Sequence, residues 1–242
     1  MALIAKVFFI GVAVLIALGV VFHFLTRKYL NPYQLIMVFG KKGSGKSTLL
    51  TKRAIKYMKD GLTVYSTTFI EGAYKISHKD IGIYHFEPES VIFIDEVGMI
   101  WDNRKYKEFK DHQRDFFKLQ RHYKLKVYLF SQTFDVDSKI RDLVDEMFLV
   151  EKKFRVFSYA KSIYKKITLT KSTPDSPSRI DENLEFSPLL LFLFGSRRFT
   201  FIPKYIKHFN SFEAPPLKEK EFEVWGQSVT APRIRSAPQA PA

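Results

Sequence analysis

The octapeptide Gly40-Lys41-Lys42-Gly43-Ser44-Gly45-Lys46-Ser47 limits what this chain can fold into more than any other feature. It fits the pattern G-x-x-x-x-G-K-[ST] and follows a continuous apolar run, Leu35-Ile36-Met37-Val38-Phe39. Five apolar residues in a row read as a strand buried on both faces. Thr48 to Met58 then reads as a helix, so strand, loop and helix occur in the order the pattern requires. Glycines let backbone N–H groups converge on a bound polyphosphate, and the helix N-terminus adds partial positive charge. Gly40 through Thr48 are therefore the candidate phosphate-binding residues. Lys46 would reach the β and γ phosphates, and the Ser47 hydroxyl would ligate Mg²⁺, with Thr48 beside it.

A second apolar run, Val91-Ile92-Phe93-Ile94, ends in Asp95-Glu96. Open α/β sheets bind ligands at the C-terminal ends of their strands, where this acidic pair emerges. Asp95 is the candidate Mg²⁺ partner and Glu96 the candidate general base for an attacking water. An acid pair of this kind favours ATP hydrolysis over phosphoryl transfer to a small molecule, which has no use for an activated water. A third run, Lys126 to Phe130, ends in Ser131-Gln132. Gln132 reads either as a sensor between γ phosphate and water or as an amide that caps a strand. The fold class expected is α/β, a P-loop NTPase with a mostly parallel sheet flanked by helices.

Asp102 to Lys124 carries Phe109, Phe116, Leu119 and Tyr123 at roughly helical spacing, a stripe that reads as core packing. Its other face holds Lys105, Lys107, Lys110, Arg114, Lys118 and Arg121, either a solvated face or a phosphate-tracking one. Arg121 is the favoured candidate for an arginine given to a neighbouring subunit's nucleotide. Arg141, in a helix expected over Val136 to Asp145, is the second, and Arg114 and Arg104 stay open.

Before the sheet, Val7 to Leu25 is a run of 19 residues whose only clearly polar member is His23. As a helix it spans roughly 28 Å, close to a hydrocarbon core of about 30 Å. Arg27, Lys28, Tyr29 and Tyr33 follow at interface depth. A cleaved leader is the competing reading, but its apolar core would be shorter and no small-x-small cleavage site follows. The expectation is a short segment at 1–6 and one retained transmembrane span at 7–25. Because nucleoside triphosphates are cytoplasmic, the ATPase domain is expected on the cytoplasmic side.

Lys and Arg number 39 against 25 Asp and Glu, a formal net charge of +14. Such a balance suggests a polyanionic neighbour, nucleic acid or an anionic membrane surface, or else a general compositional habit. The absence of cysteine excludes disulfides, thiolate metal sites and cysteine nucleophiles. Phe154 to Thr170 is β-prone and basic, with Lys152, Lys153, Arg155, Lys161, Lys165 and Lys166. It reads as a hairpin added to the sheet edge, with DNA contact as its functional reading. Lys171 to Glu185, with two prolines and several serines, reads as an exposed loop. Residues 214–242 are Pro-rich and lack apolar periodicity, as expected of a disordered or partner-bound tail.

Three stretches together carry a family resemblance. They are Ile94-Asp95-Glu96-Val97-Gly98-Met99-Ile100-Trp101, Gln120-Arg121-His122-Tyr123-Lys124, and Asp137-Ser138-Lys139-Ile140-Arg141. With the later Phe201 to Ser211, they make residues 33–213 resemble the Zot-like family, the gene I morphogenesis proteins of filamentous bacteriophages. The resemblance implies an ATPase domain of the FtsK–HerA-like ASCE class using ATP and Mg²⁺. It also implies a homo-oligomer, expected to be a ring, at the host inner membrane. Its partners would be phage coat and assembly proteins, with single-stranded DNA as cargo during virion extrusion. The familiar members place their span after the ATPase domain, whereas here the apolar run precedes it and Leu189 to Phe194 is too short to cross. Two other readings stand beside this one: a genome-packaging ATPase of a membrane-containing phage, and a nucleotide-binding membrane scaffold without essential hydrolysis.

Overall fold

The structure is a computed structural model, and it describes residues 2–26, 29–102, 109–170, 179–187, 197–209, 223–224 and 227–230. The chain divides into two units, Met1–Asn210 and Ser211–Ala242. The first begins with α1 (Ala2–Thr26), which runs through the short N-terminal segment expected to stand apart from the span. Within it, Lys6–Thr26 is long and apolar enough to cross a membrane, and none of it is buried in the protein. A helix apolar on every side has no polar face to give to water. A leader sequence would pass the same test of length and composition.

The elements that follow are β1 (Leu35–Phe39), α2 (Lys46–Lys59), β2 (Val64–Ser66), β3 (Tyr74–Lys75) and β4 (Val91–Ile94). Then come α3 (Val97–Ile100), α4 (Asp111–Leu119), β5 (Lys126–Ser131), α5 (Ser138–Leu143) and β6 (Glu146–Lys153). The unit closes with β7 (Phe157–Thr170), β8 (Arg179–Phe186), β9 (Arg197–Phe201) and α6 (Ile202–Tyr205). They form one sheet in the order β3-β2-β4-β5-β1-β6-β7-β8, with β9 also paired to β7. The strands from β3 to β6 are parallel; β7, β8 and β9 add an antiparallel flank.

Every residue of β1 is buried, because both faces of the sheet are covered. Leu35, Met37 and Phe39 point into one core with Ile92, Ile94 and Trp101. Ile36 and Val38 point into the other with Leu49, Phe93 and Phe130 under α2. That alternation is the period-two geometry of a strand. Trp101, 2% exposed, donates from Nε1 to Gln113 Oε1 at 3.0 Å and meets Phe109 and Phe117 edge-on. Trp101→Ala should therefore cost about 3–5 kcal/mol by cavity creation, read as a fall in denaturant midpoint at unchanged slope.

Three sequence expectations change. Arg179–Phe186 is a strand paired with β7, where the loop was expected to run to Glu185. Phe157–Thr170 is one long strand between β6 and β8, and not itself a hairpin. The helix expected over Val136 to Asp145 is shortened to Ser138–Leu143. In the second unit, Glu223–Val224 pairs antiparallel with Gln227–Thr230, a short ladder within the 214–242 tail expected to be disordered or partner-bound. Arg104, Lys105, Lys107 and the run Leu189 to Phe194 lie outside the described residues.

Candidate functional site

The phosphate-loop sequence leaves the buried strand β1 and enters α2 through a turn that only small residues permit. Gly40 N–H donates to the Ser131 carbonyl at 3.2 Å, tying the loop to the tip of β5. Gly43 and Gly45 have φ of +75° and +96°, in the left-handed region that favours glycine. A Cβ on Gly40 would come within 2.6 Å of Ser44 Oγ and 2.7 Å of the Val150 carbonyl; one on Gly45 would meet Ser158 Cβ at 2.6 Å. Gly45→Ala combines that clash with left-handed strain of about 1–2 kcal/mol. We expect it to lower the melting temperature and to lose nucleotide affinity, both measurable on the purified chain.

The first turn of α2 contains no acidic residue, and no side chain caps it. The N–H groups of Lys46, Ser47 and Thr48 lack acceptors within the helix by its geometry, and the helix dipole presents its positive end there. Lys46 Nζ lies back along the loop, donating to the Gly40 carbonyl at 2.6 Å and the Lys41 carbonyl at 3.3 Å. Burial lowers the pKa of this amine, while the charges of Glu96 and Asp95 act in the opposite direction. Ser44 Oγ is buried without a partner, a polar atom aimed into the loop. Thr48 is buried, Ser47 partly so, and Lys41 and Lys42 are exposed.

Asp95 follows the last residue of β4, and its backbone N–H donates to Thr67 Oγ1 at 3.0 Å. Burial pushes the Asp95 carboxyl up to about 6; the Glu96 N–H, at 2.9 Å from Asp95 Oδ1, and Lys46 pull the other way. Glu96 has φ of +55°, an uncommon conformation for a residue with a side chain. Its Oε1 accepts a hydrogen bond from Gln132 Nε2 at 2.7 Å. Just beyond, Gly98 lets α3 close on the β5 tip, because a Cβ there would lie 2.6 Å from Ser131 Oγ. The structure thus brings Gly40 to Ser47, Asp95, Glu96 and Gln132 to the C-terminal ends of three adjacent strands, with β5 between β1 and β4.

Ser47 and Asp95 are oxygen donors, one hydroxyl and one carboxylate. That set fits Mg²⁺, which takes one or two carboxylates and completes its shell with water and phosphate oxygens. Thr67, Gly98 and Ser131 were missed by the sequence reading. Thr67 follows a strand of only three residues, too short for periodicity, though Ser66-Thr67-Thr68 after Val64 is the kind of polar tip that marks one.

The arginines separate. Arg121 is exposed in the turn before β5, at the other end of a six-residue strand from the phosphate loop, roughly 20 Å away. The structure does not bring it to this chain's own site. Arg141 stands after the β5 tip, donating to the Phe134 carbonyl at 3.3 Å with its guanidinium 4.8 Å from the Phe134 ring. Arg114 is bridged to Asp111 and Asp115. Of the lysines expected to face DNA, Lys161, Lys165 and Lys166 are paired with Glu151, Asp142 and Glu185.

A buried parallel sheet, a glycine loop feeding a helix, and a strand inserted between the loop strand and the acid-tipped strand define a P-loop NTPase fold. The model of the Zonular occludens toxin (Zot) family matches residues 70–181, and over that stretch the chain is Zot-like. No curated protein matches the chain. Among solved structures, the N-terminal domain of zonular occludens toxin from Neisseria meningitidis is similar at 15% identity and TM-score 0.44, over 66% of this chain and 97% of that one. The genome packaging NTPase B204 from Sulfolobus turreted icosahedral virus 2, in complex with AMPPCP, is similar at 14% identity and TM-score 0.42, over 51% and 77%. The flagellar accessory protein FlaH from Methanocaldococcus jannaschii is similar at 16% identity and TM-score 0.40, over 53% and 77%.

Proposed function

We propose that this chain is a membrane-tethered, Mg²⁺-dependent ATPase that powers assembly and extrusion of filamentous phage virions through the host envelope. The observation that carries the hydrolytic part is the Gln132–Glu96 hydrogen bond of 2.7 Å, beside Lys46 and Asp95 at three neighbouring strand tips. Lys46 and the N–H groups of the loop hold the phosphates. Ser47 and Asp95 would hold Mg²⁺, which when bound would neutralise phosphate charge. Glu96 orients and deprotonates the attacking water. Gln132, bonded to that carboxylate, couples its position to what occupies the γ-phosphate site.

The phage role is supported by the Zot-family match over residues 70–181 and by the apolar helix Lys6–Thr26. In this reading α1 is a single span of the host inner membrane, the ATPase domain is cytoplasmic, and the active form is a homo-oligomer, a ring. Its partners are coat and assembly proteins and single-stranded DNA. ATPase rate measured with and without single-stranded DNA at low salt tests direct DNA movement; stimulation supports it, and complete indifference counts against it. If a Glu96→Gln variant supports virion assembly fully, the chain is a nucleotide-binding scaffold and turnover is dispensable.

A further inference from the structure

The phosphate loop leaves β1 between two flanks of unequal height. Gln132 and Glu96 stand at the tips of β5 and β4, on one side of β1, and β6 lies on the other. A triphosphate whose γ end faces Glu96 and Gln132 therefore carries its sugar and base out of the loop toward β6. That flank overtops the loop. The parallel pairing of β1 with β6 ends at Phe39↔Leu149, and β6 runs on from Val150 to Lys153, about 13 Å past the tip of β1. β7 and β9 rise beside it, pairing Lys153↔Phe157 and Phe157↔Phe201.

This three-stranded wall stands directly against the loop. The Val150 carbonyl lies 2.7 Å from where a Cβ on Gly40 would be, and Ser158 Cβ lies 2.6 Å from one on Gly45. Ile202 packs on the same glycine, its Cδ1 3.7 Å from that position, and its N–H donates to the Val156 carbonyl at 2.9 Å. Loop and wall are thus two sides of one open cleft, with the phosphate-binding N–H groups at its floor.

At the top of the wall, the turn Phe154-Arg155-Val156 joins β6 to β7 and is unusual in two respects. Phe154 and Arg155 have φ of +47° and +59°, a region ordinary for glycine or asparagine and strained for a bulky side chain. Phe154 is also 88% exposed, and no large apolar side chain among the described residues is more so. It belongs to neither apolar core, so packing explains neither the ring nor the strain. Strained backbone of this kind collects at turns that hold ligands. From Val150 to Ser162 the hairpin carries Lys152, Lys153, Arg155 and Lys161 against one carboxylate, Glu151, which Lys153 and Lys161 share at 3.3 and 3.0 Å. Four cations against one fully charged carboxylate leave a surplus of three positive charges.

We propose that the β6–β7 turn is the base-binding part of the nucleotide site, where the nucleobase of a nucleotide held by the phosphate loop stacks on the Phe154 ring. The inference rests on the reading of residues 40–48 as a phosphate loop. Stacking is what an exposed ring offers, since every base presents an aromatic face. The surplus positive charge beside the ring suits the polyphosphate that accompanies the base. The left-handed turn holds the ring out from the wall before a nucleotide arrives, so less ordering is lost on binding. The platform stands on the flank away from Asp95, Glu96 and Gln132, so it contributes to affinity and leaves the hydrolytic groups untouched.

ADP is pyrophosphate esterified to a nucleoside, so comparing the two isolates the contact. Their affinities for the full chain are measured by calorimetry with Mg²⁺. Phe154→Ala should weaken ADP binding by about 5- to 150-fold, the range of base–aromatic stacking, and leave pyrophosphate within about twofold. Phe154→Tyr, which keeps a ring, should retain ADP affinity. Because Phe154 is almost fully exposed, neither variant should lower the melting temperature. Unchanged ADP affinity in Phe154→Ala overturns the proposal. Equal loss of ADP and pyrophosphate overturns it too, because the turn then shapes the loop. So does a loss of affinity for an oligothymidylate with ADP unaffected, which assigns the ring to nucleic acid. A loss of ADP affinity seen only at chain concentrations that form oligomers assigns the ring to a neighbouring copy's site and likewise overturns it. If the unaltered chain binds neither ADP nor pyrophosphate, the phosphate-loop reading itself fails; if it binds the two equally, only the base platform fails.

Discussion

Glu96→Gln is expected to reduce ATP turnover by about 10²–10⁴-fold, the usual contribution of a positioned general base, while ATP affinity changes little. The replacement keeps the shape of the side chain, and an amide can still accept the hydrogen bond that Gln132 Nε2 makes at 2.7 Å. It removes the ability to take a proton. The left-handed backbone at Glu96, φ +55°, is a property of the turn from β4 into α3 and should survive the change. Phosphate release under saturating ATP, beside equilibrium binding of a fluorescent ATP analogue, separates the two effects. Equal loss of binding and turnover would mean that Glu96 holds the loop and does not act on water.

Asp95→Asn should have opposite effects on stability and activity. Burial raises this carboxyl to about 6, above its ordinary value of 3.8. The folded state therefore binds a proton more tightly than the unfolded state does. Stability from this group is fully present below about pH 4 and is lost as pH rises through about 6. Two pKa units correspond to roughly 3 kcal/mol. Removing the charge should thus stabilise the Mg²⁺-free protein at neutral pH by an amount on the order of 2 kcal/mol. The pH dependence of its urea midpoint between about 4 and 6 should flatten. The same variant should lose Mg²⁺-dependent hydrolysis, since its amide cannot replace a carboxylate facing the ion's water shell. Urea midpoints at acid and neutral pH without Mg²⁺ check the first effect, and phosphate release with Mg²⁺ checks the second.

The parts of the fold that could be read from residues alone are those where burial is two-sided or the backbone is special. Leu35–Phe39, Val91–Ile94 and Lys126–Ser131 are buried along nearly all their length, so their apolar runs are unbroken. Gly43 and Gly45 sit where φ is positive, so the loop pattern follows from backbone geometry. Elements without such a signature were not legible. Val64–Ser66, Tyr74–Lys75 and Val97–Ile100 are too short to show a period. β8 reads Arg-Ile-Asp-Glu-Asn-Leu-Glu-Phe, and Asp, Glu and Asn are depleted in strands. It is a strand because β7 offers a ladder along eight residues, a tertiary fact that outweighs local preference.

The candidate site shows the same division. Lys46, Asp95, Glu96 and Gln132 follow from strand tips and the loop pattern, because the topology of an open sheet gathers those tips at one end. Arg121 precedes the third strand and Gln132 follows it, so strand direction in a parallel sheet already separates them and puts the arginine at the end without the loop. Thr67 reaches Asp95 across a separation of 28 residues, and no local pattern announces such a contact.

The most direct test of the central claim is phosphate release by the full-length chain in nanodiscs, followed over several chain concentrations with Mg²⁺ and with a chelator. The proposed function predicts repeated turnover of ATP that requires Mg²⁺, rises per chain as oligomers form, and stops when the metal is removed. ATP bound tightly with no phosphate released at any concentration of chain would contradict it.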